Sequence, residues 1–383
     1  MRLTRRTALL GLASAVMLGR ASLAVAAAPT ARRLIVVLLR GGLDGLAVVV
    51  PRGDPDLAGW RAPLVPEGLL DLGGIWGLHP GLAGLHGLYA AGELLAVQAV
   101  ASPDRSRSHF AAQDTLELGA AHGISSGWLN RAAALVPDDG PERALAVGPA
   151  MPLLLRGPTP TGSWQPAGGS PPPADFYATL RTLYRDDPLV GPALARALDE
   201  RGLAAAALGG ADPAPHGGFA ALCAAAGRLL AAPAGARIAA LELGGWDTHV
   251  NQPARLAAAL RPLDEGLMAL RRGLGDTWRE TAVLVVTEFG RTVRMNGAHG
   301  TDHGTATLAL LLGGNVAGGR VSGDWPGLRR SRLFENRDLQ PTADVRSLAK
   351  GVLAQHFGLD GAALDRVFPA SPLAPPLPAL LRG

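Results

Sequence analysis

The sequence of 383 residues contains one cysteine, Cys223, and one lysine, Lys350. A single thiol excludes an intramolecular disulfide and any cluster of thiolate metal ligands. Its setting, Ala221-Leu222-Cys223-Ala224-Ala225, reads as the packed face of a helix, where free cysteine is commonly buried. A single lysine in a chain rich in arginine essentially excludes chemistry built on a Schiff-base lysine or on the lysine of a Walker phosphate loop. Long apolar runs are missing too. The run near the N-terminus is broken by Gly11, Ser14 and Gly19-Arg20 and falls short of the roughly 20 residues that a membrane-spanning helix needs.

What the N-terminus does carry is the pattern of an export signal. Arg5-Arg6, in Thr4-Arg5-Arg6-Thr7-Ala8-Leu9-Leu10, precede an apolar stretch to Leu18 and a small-residue segment from Ala24 to Ala28. This reads as a twin-arginine signal peptide over residues 1–28, with an ordinary secretory signal as the alternative. The twin-arginine machinery would then be a partner, and it carries cargo already folded, which suits a chain loaded with a metal or cofactor before export. Residues 1–28 hold Arg2, Arg5, Arg6 and Arg20 and no acidic residue, so cleavage near Ala26 or Ala28 takes the formal net charge from +4 to zero. Nucleic acid is therefore not an expected partner. The expected location is the periplasm or the exterior, with no stable membrane span once the signal is removed.

Short, β-branched apolar runs recur through the remainder. Leu34 to Leu39, Leu94 to Val100, Ala144 to Val147 with Leu153 to Leu155, Arg237 to Leu243, Ala282 to Thr287 and Thr307 to Leu312 read as buried strands. Their near-continuous apolarity predicts a parallel or mixed sheet covered on both faces. Helical segments alternate with them, roughly His109 to Leu118, Asp175 to Tyr184, Leu189 to Leu208, Gly217 to Ala232, Pro253 to Gly273 and Thr342 to Phe357. The alternation predicts an α/β sandwich. Gly157 to Pro173, rich in Pro, Gly, Ser and Thr, reads as a long surface loop of a single domain spanning residues 29–383. No internal repeat is apparent.

Ligands of open α/β sheets bind beyond the carboxyl ends of the strands, and here those ends carry acids and histidines. Asp44 follows the first strand in Arg40-Gly41-Gly42-Leu43-Asp44-Gly45. Asp247 and His249 follow another in Gly244-Gly245-Trp246-Asp247-Thr248-His249. Glu288 opens Glu288-Phe289-Gly290-Arg291-Thr292, and Asp302 and His303 stand before the last apolar run in His299-Gly300-Thr301-Asp302-His303-Gly304. Carboxylate oxygen with imidazole nitrogen suits Zn, Mn or Fe at two or three protein ligands per ion. Each residue has a plainer role as well. Asp44 suits a turn beside glycine, Asp247 a helix N-cap, Glu288 a pair with Arg291 or Arg294, and His303 a hydrogen-bonded loop. Ser108, with Arg107 and His109 beside it, opens a helix and is placed to be a nucleophile or an anion contact, or simply that helix's N-cap. Gly123-Ile124-Ser125-Ser126-Gly127 fits the pattern of a serine-hydrolase elbow but lacks the strand that must precede it.

Together these motifs resemble the DUF1501 family of exported bacterial proteins, within the alkaline phosphatase/sulfatase-like superfamily. The resemblance runs over nearly the whole mature chain, through Leu39 to Gly45, Arg107-Ser108-His109-Phe110 with Gln113-Asp114, Gly244 to His249, Thr287 to Thr292 and Thr301 to Gly304. It implies an alkaline phosphatase-like α/β/α sandwich with a mostly parallel central sheet. It further implies a metal site of one or two divalent ions, Zn, Mn or Fe with Ca or Mg as further options, at Asp44, Asp247, His249, Glu288, Asp302 and His303. Ser108 would be the nucleophile, with Arg107 and His109 beside it, and the substrate a phosphate or sulfate ester. Two departures accompany it. A sulfatase's modified Cys or Ser would stand where this chain has Ala101, although Pro103 and Arg105 fit the frame, and Glu288-Phe289 replaces an Asp-His ligand pair. A non-catalytic envelope protein of the same fold, binding an anionic glycan or lipid-linked ligand, is the alternative.

Overall fold

The computed structural model describes residues 30–120, 123–137, 143–166, 174–188, 190–209 and 218–382. The stretch read as a twin-arginine signal, residues 1–28, lies outside the described residues. At the centre is a nine-stranded sheet. Its strands are β1 (Arg33–Arg40), β2 (Leu94–Ala101), β3 (Ala144–Val147), β4 (Thr161–Trp164), β5 (Ile238–Gly244), β6 (Thr281–Thr287), β7 (Thr307–Leu312), β8 (Arg320–Ser322) and β9 (Ala343–Asp344). In space they run β8-β2-β7-β6-β1-β5-β3-β4, with β9 also paired to β2. Every pairing is parallel except those of β7, which is antiparallel to both β2 and β6.

The unbroken apolar strands have the reason expected of them: both faces are covered. Successive side chains of a strand point to opposite sides. Ile35, Val37 and Leu39 of β1 enter one core, while Leu34, Val36 and Leu38 enter the other. The helices that cover the sheet are α1 (Ala83–Ala90), α2 (His109–Leu118), α3 (Trp128–Ala133), α4 (Ala174–Leu183), α5 (Val190–Ala207), α6 (Gly218–Ala231), α7 (Gln252–Leu274), α8 (Val345–Phe357) and α9 (Gly361–Val367). The first core takes residues of α1, α6 and α7, and the second takes residues of α2, α3, α8 and α9. The architecture is thus the expected three-layer α/β/α sandwich. On α7, Leu256, Leu260, Leu263, Leu267 and Leu270 recur at helical spacing and are all buried, each worth roughly 1.5–3 kcal/mol relative to exposure. Cys223 is buried against this helix, and burial pushes its thiol pKa up, so it is the inert packing residue its sequence setting predicts.

Several local expectations need correcting. Leu153–Leu155 is one turn of 3-10 helix, not a strand. The Pro/Gly-rich stretch contains β4, which extends the sheet beyond β3, while residues 167–173 lie outside the described residues. A small three-stranded sheet of Val49–Val50, Gly77–Leu78 and Leu70–Asp71 was not foreseen. Its two-residue strands are too short to carry a periodic signal. Among the described residues, Gly123 to Gly127 lies between α2 and α3 with no strand leading into it, so the hydrolase-elbow reading lapses. No described helix is long and apolar enough to cross a membrane.

Candidate metal centre at the carboxyl edge of the sheet

Register carries the functional loops to one edge. Arg40 of β1 is level with Gly244 of β5, and Leu39 is level with Thr287 of β6. The segments holding Asp44, Asp247, His249 and Glu288 therefore leave the sheet side by side. Val100, near the end of β2, pairs with Thr307, the first residue of β7. An antiparallel strand begins where its neighbours finish, which is why His303, preceding β7, joins residues that follow other strands. Close approach of these loops requires glycine. Gly41 has φ +126°, and a Cβ there would lie 2.7 Å from the amide nitrogen of Asp247; at Gly42, φ +74°, it would meet the Phe289 ring at 2.6 Å.

α2 delivers His109 from the far side of this edge. Its buried Glu117 pairs with Arg40 at 2.6 Å and accepts the Leu154 amide at 2.8 Å, pinning the helix to the end of β1. In its first turn, His109 Nδ1 lies 2.8 Å from Glu288 Oε1. His303 Nδ1 is 2.9 Å from the carbonyl oxygen of Arg107, and His249 Nδ1 is 3.2 Å from Asp302 Oδ1. A carbonyl or carboxylate oxygen can only accept, so the nearest oxygens of His109 and His303 make Nδ1 the donor, and their neutral imidazoles carry the lone pair on Nε2; His249 has a carboxylate at each nitrogen, Asp302 at Nδ1 and Asp247 at Nε2.

These Nε2 atoms face one another. His303 Nε2 lies 3.1 Å from His109 Nε2 and 3.0 Å from His249 Nε2. Asp247 closes the group: Oδ1 is 3.0 Å from His249 Nε2 and 3.3 Å from His303 Nε2, while Oδ2 is 3.6 Å from His109 Nε2. Ligand atoms of His109, Asp247 and His303 all fall within 4.8 Å of one another. Phe289 packs at a tilt against the His109 and His303 rings, with centroids 4.8 and 5.0 Å away. The group fits a divalent ion on chemical grounds. Arg291 already meets Asp247 and lies 3.5 Å from His249 Nε2 through Nη1, but it does not reach the nitrogens of His109 and His303, where nitrogen with carboxylate oxygen suits zinc and each imidazole has an outer partner that orients its ring.

The electrostatics favour that ligand form. Burial works against the Glu288 carboxylate, yet hydrogen bonds from Gln113, its own backbone amide, His109 and the Gly41 amide hold its pKa below the usual range. Asp247 is likewise lowered on balance, burial being outweighed by the hydrogen bond and charge of Arg291 and by His249 and His109. Burial also opposes ionisation of Asp302, and Asn296 and His249 overcome it. The His303 pKa is lowered, first by burial and then by the charges of Arg291 and His109, against the opposing bonds to Arg107 and Asp247.

The remaining expected residues stand differently. Asp44 is fully buried, and its partners are not imidazoles. Arg61 Nη1 reaches its two oxygens at 2.8 and 3.0 Å, and Gln252 Nε2 donates to Oδ2 at 2.5 Å. Glu288 is not paired with Arg291 or Arg294 but with His109, Gln113 and the Gly41 amide. Ser108 is the N-cap of α2 but makes no side-chain capping bond. The Arg107 guanidinium turns to Asp338 and Glu335, leaving its carbonyl to His303. Sequence reasoning missed Arg291 as a site residue. Buried, it donates to the carbonyls of Gly41, Gly42, Trp246 and Thr301 and to Asp247, tying the three loops together. Its place inside the Glu288 to Thr292 motif was the available signal. Arg61 lies in no motif, and no local pattern marks it.

Among solved structures the chain is similar to a 2-O GAG sulfatase at 10% identity, covering 86% of this chain and 71% of that one with a TM-score of 0.39. It is similar to Ps i-CgsB in complex with k-i-k-neocarrahexaose, at 10% identity, 90% and 77% coverage and a TM-score of 0.40. It is also similar to a protein of the alkaline phosphatase superfamily from Vibrio parahaemolyticus, at 11% identity, 86% and 67% coverage and a TM-score of 0.36. At these scores the likeness is one of broad chain course. No curated protein matches the sequence. The family model described as "Protein of unknown function (DUF1501)" matches residues 93–368, most of the chain, and the chain belongs to that family.

Proposed function

We propose that this chain is an exported, metal-dependent hydrolase of a phosphate or sulfate ester. The observation that carries the reading is the convergence of the Nε2 atoms of His109, His249 and His303 beside the Asp247 carboxylate. These four residues would hold one ion, with Glu288, Asp302 and the Arg107 carbonyl orienting the rings. Asp44, occupied by Arg61 and Gln252, is left out of the ligand set. A divalent ion bound there would supply Lewis acidity toward an ester oxygen and ease ionisation of a hydroxyl.

The chain's own part is orientation. The N-terminus of α2, whose N-cap hydroxyl makes no capping bond, offers backbone amides and a positive dipole end to an anionic ester. Ser108 is the residue proposed to attack phosphorus or sulfur. Its Oγ forms the new ester bond as the substrate's bond to the alcohol oxygen breaks, and the hydroxyl proton is taken up by the departing alcohol through solvent. Water then hydrolyses the seryl ester to release phosphate or sulfate. Arg291 keeps Asp247 ionised and in place, and Phe289 keeps the His109 and His303 rings from turning. Residues 1–28 are proposed to send the folded chain through the twin-arginine route. Replacing Arg5 and Arg6 with lysine tests this, and export at the normal rate would remove it.

Metal analysis of the exported protein, with turnover assays on a phosphomonoester, a phosphodiester and a sulfate ester, tests the activity. One equivalent of zinc, manganese or iron and turnover abolished by Asp247→Ala are expected. A metal-replete protein that hydrolyses none of the three sinks the hydrolase reading and leaves the binding role, with an anionic glycan as ligand.

A further inference from the structure

Arg107 stands in a conformation that an arginine rarely adopts, with φ +59°. Such a backbone persists only where the surroundings hold it, and here the side chain is held by two carboxylates. Nε donates to Asp338 Oδ2 at 2.8 Å, and Nη2 donates to Glu335 Oε2 at 2.5 Å. Asp338 is a fixed post. It is completely buried, accepts from Arg337 Nη1 at 3.1 Å, and exchanges backbone hydrogen bonds with Phe334. Glu335 sits in a tight turn in which it and Asn336 both have positive φ, 52° and 56°. This turn is joined to the loop after β6 through the bridge between Thr292 and Asp338. The two ends of Arg107 therefore do different things: the guanidinium is spent on the 334–338 turn, and the carbonyl accepts Nδ1 of His303 at 2.9 Å.

We propose that Arg107 is a positioning residue: its ion pairs with Asp338 and Glu335 lock a left-handed backbone that aims its carbonyl at His303 Nδ1, keeping the His303 Nε2 lone pair turned toward Asp247 and the other imidazoles. The role in metal binding rests on the reading of the site given above, while the control of the His303 tautomer does not.

Two measurements on the full mature chain separate these. One is zinc affinity, by competition with a chromophoric chelator; the other is the His303 tautomer, from imidazole nitrogen chemical shifts of the metal-free protein. Arg107→Ala is expected to weaken zinc binding by about 10–100-fold, the usual cost of losing an outer partner of a ligating histidine, and to populate the wrong tautomer. Arg107→Gly loses the ion pairs but adopts positive φ without strain, so its losses should be smaller than those of Arg107→Ala. Glu335→Gln alters only the exposed partner, spares the fold, and should weaken zinc binding less than Arg107→Ala. Zinc affinity and tautomer unchanged in Arg107→Ala would overturn the proposal; turnover lost at the same time would place the guanidinium on the substrate instead. Equal losses in the glycine and alanine variants would overturn the role of the backbone. A wild type that binds no zinc removes the metal reading, and the tautomer measurement still decides the rest.

Discussion

Two carboxylates leave the same edge of the sheet, each meeting a buried arginine, and they differ in exposure and in their other partners. Asp44 is sealed in protein with its counter-cation built into the chain, Arg61, and with Gln252 on its second oxygen. Asp247 is 46% exposed at its side chain and shares its surroundings with three imidazoles as well as with Arg291. A buried charge needs a fixed partner, because desolvation cannot otherwise be offset. An exposed carboxylate among nitrogen lone pairs can await a partner from solution. Asp44 is thus built into the fold, whereas Asp247 is free to take the part proposed for it in the site, although both stand in glycine-rich motifs of the same kind.

The strongest way to break it is Asp44→Asn. Removing the charge leaves Arg61 buried and uncompensated, at an expected cost of about 3–5 kcal/mol in denaturant unfolding. The zinc content of the protein that remains folded should stay at the wild-type value. Lost zinc with stability intact would make Asp44 a ligand after all. A second buried group extends the sealed side of the comparison to another part of the molecule. His356 on α8 donates Nε2–H to the Arg33 carbonyl at 2.9 Å, its Nδ1 has no hydrogen-bond partner, and burial lowers its pKa to about 4. The unfolded chain takes up this proton near pH 6.5 and the folded chain does not, so the stabilisation is complete above pH 6.5 and is lost as pH falls through 4. About 3 kcal/mol should go between pH 7 and pH 4, and His356→Gln should lose less over that interval by about the same amount.

The open side is probed by adding metal. Zinc at 100 times its dissociation constant should stabilise the wild type by about 2.7 kcal/mol, since an ion that binds only the folded chain shifts the equilibrium by mass action. In His303→Ala that increment should vanish. Equal stabilisation of both proteins would place the ion elsewhere.

The same contrast explains what could be read from sequence. Covered strands announced themselves as apolar runs, and the loops after them announced themselves by acids and histidines beside glycine. His109, Asp247, His249, Glu288 and His303 were all in view, and so was the strand over Thr307–Leu312, but not the antiparallel direction that brings His303 to the others. Pairings across the chain left no local trace. Arg61 is 17 positions from Asp44, and Gln252 is 208 positions away. Asp44 consequently looked like the other acids in its motif, and only its neighbours in space distinguish it. Arg107 stands out beside Ser108 as a catalytic candidate, but its guanidinium meets Asp338 and Glu335 while its carbonyl meets His303, and sequence cannot orient a side chain against its own carbonyl.

The smallest expected effect is also the sharpest probe of how the open side is organised. Asp302 is 54% exposed at its side chain and is joined to His249 Nδ1 at 3.2 Å and to Asn296 Nδ2 at 3.2 Å. Its exposure means that Asp302→Asn should leave the unfolding free energy within about 0.5 kcal/mol of the wild type. The amide oxygen can still accept the His249 proton, but without the carboxylate charge that makes the ring a stronger donor to a cation. Zinc affinity should fall by about tenfold, the lower end of what an outer partner contributes. A loss that small, with stability unchanged, would set Asp302 apart from Asp247, whose replacement removes a proposed ligand atom. A variant that binds zinc as tightly as the wild type would show that the Asp302 charge does not tune the centre through His249.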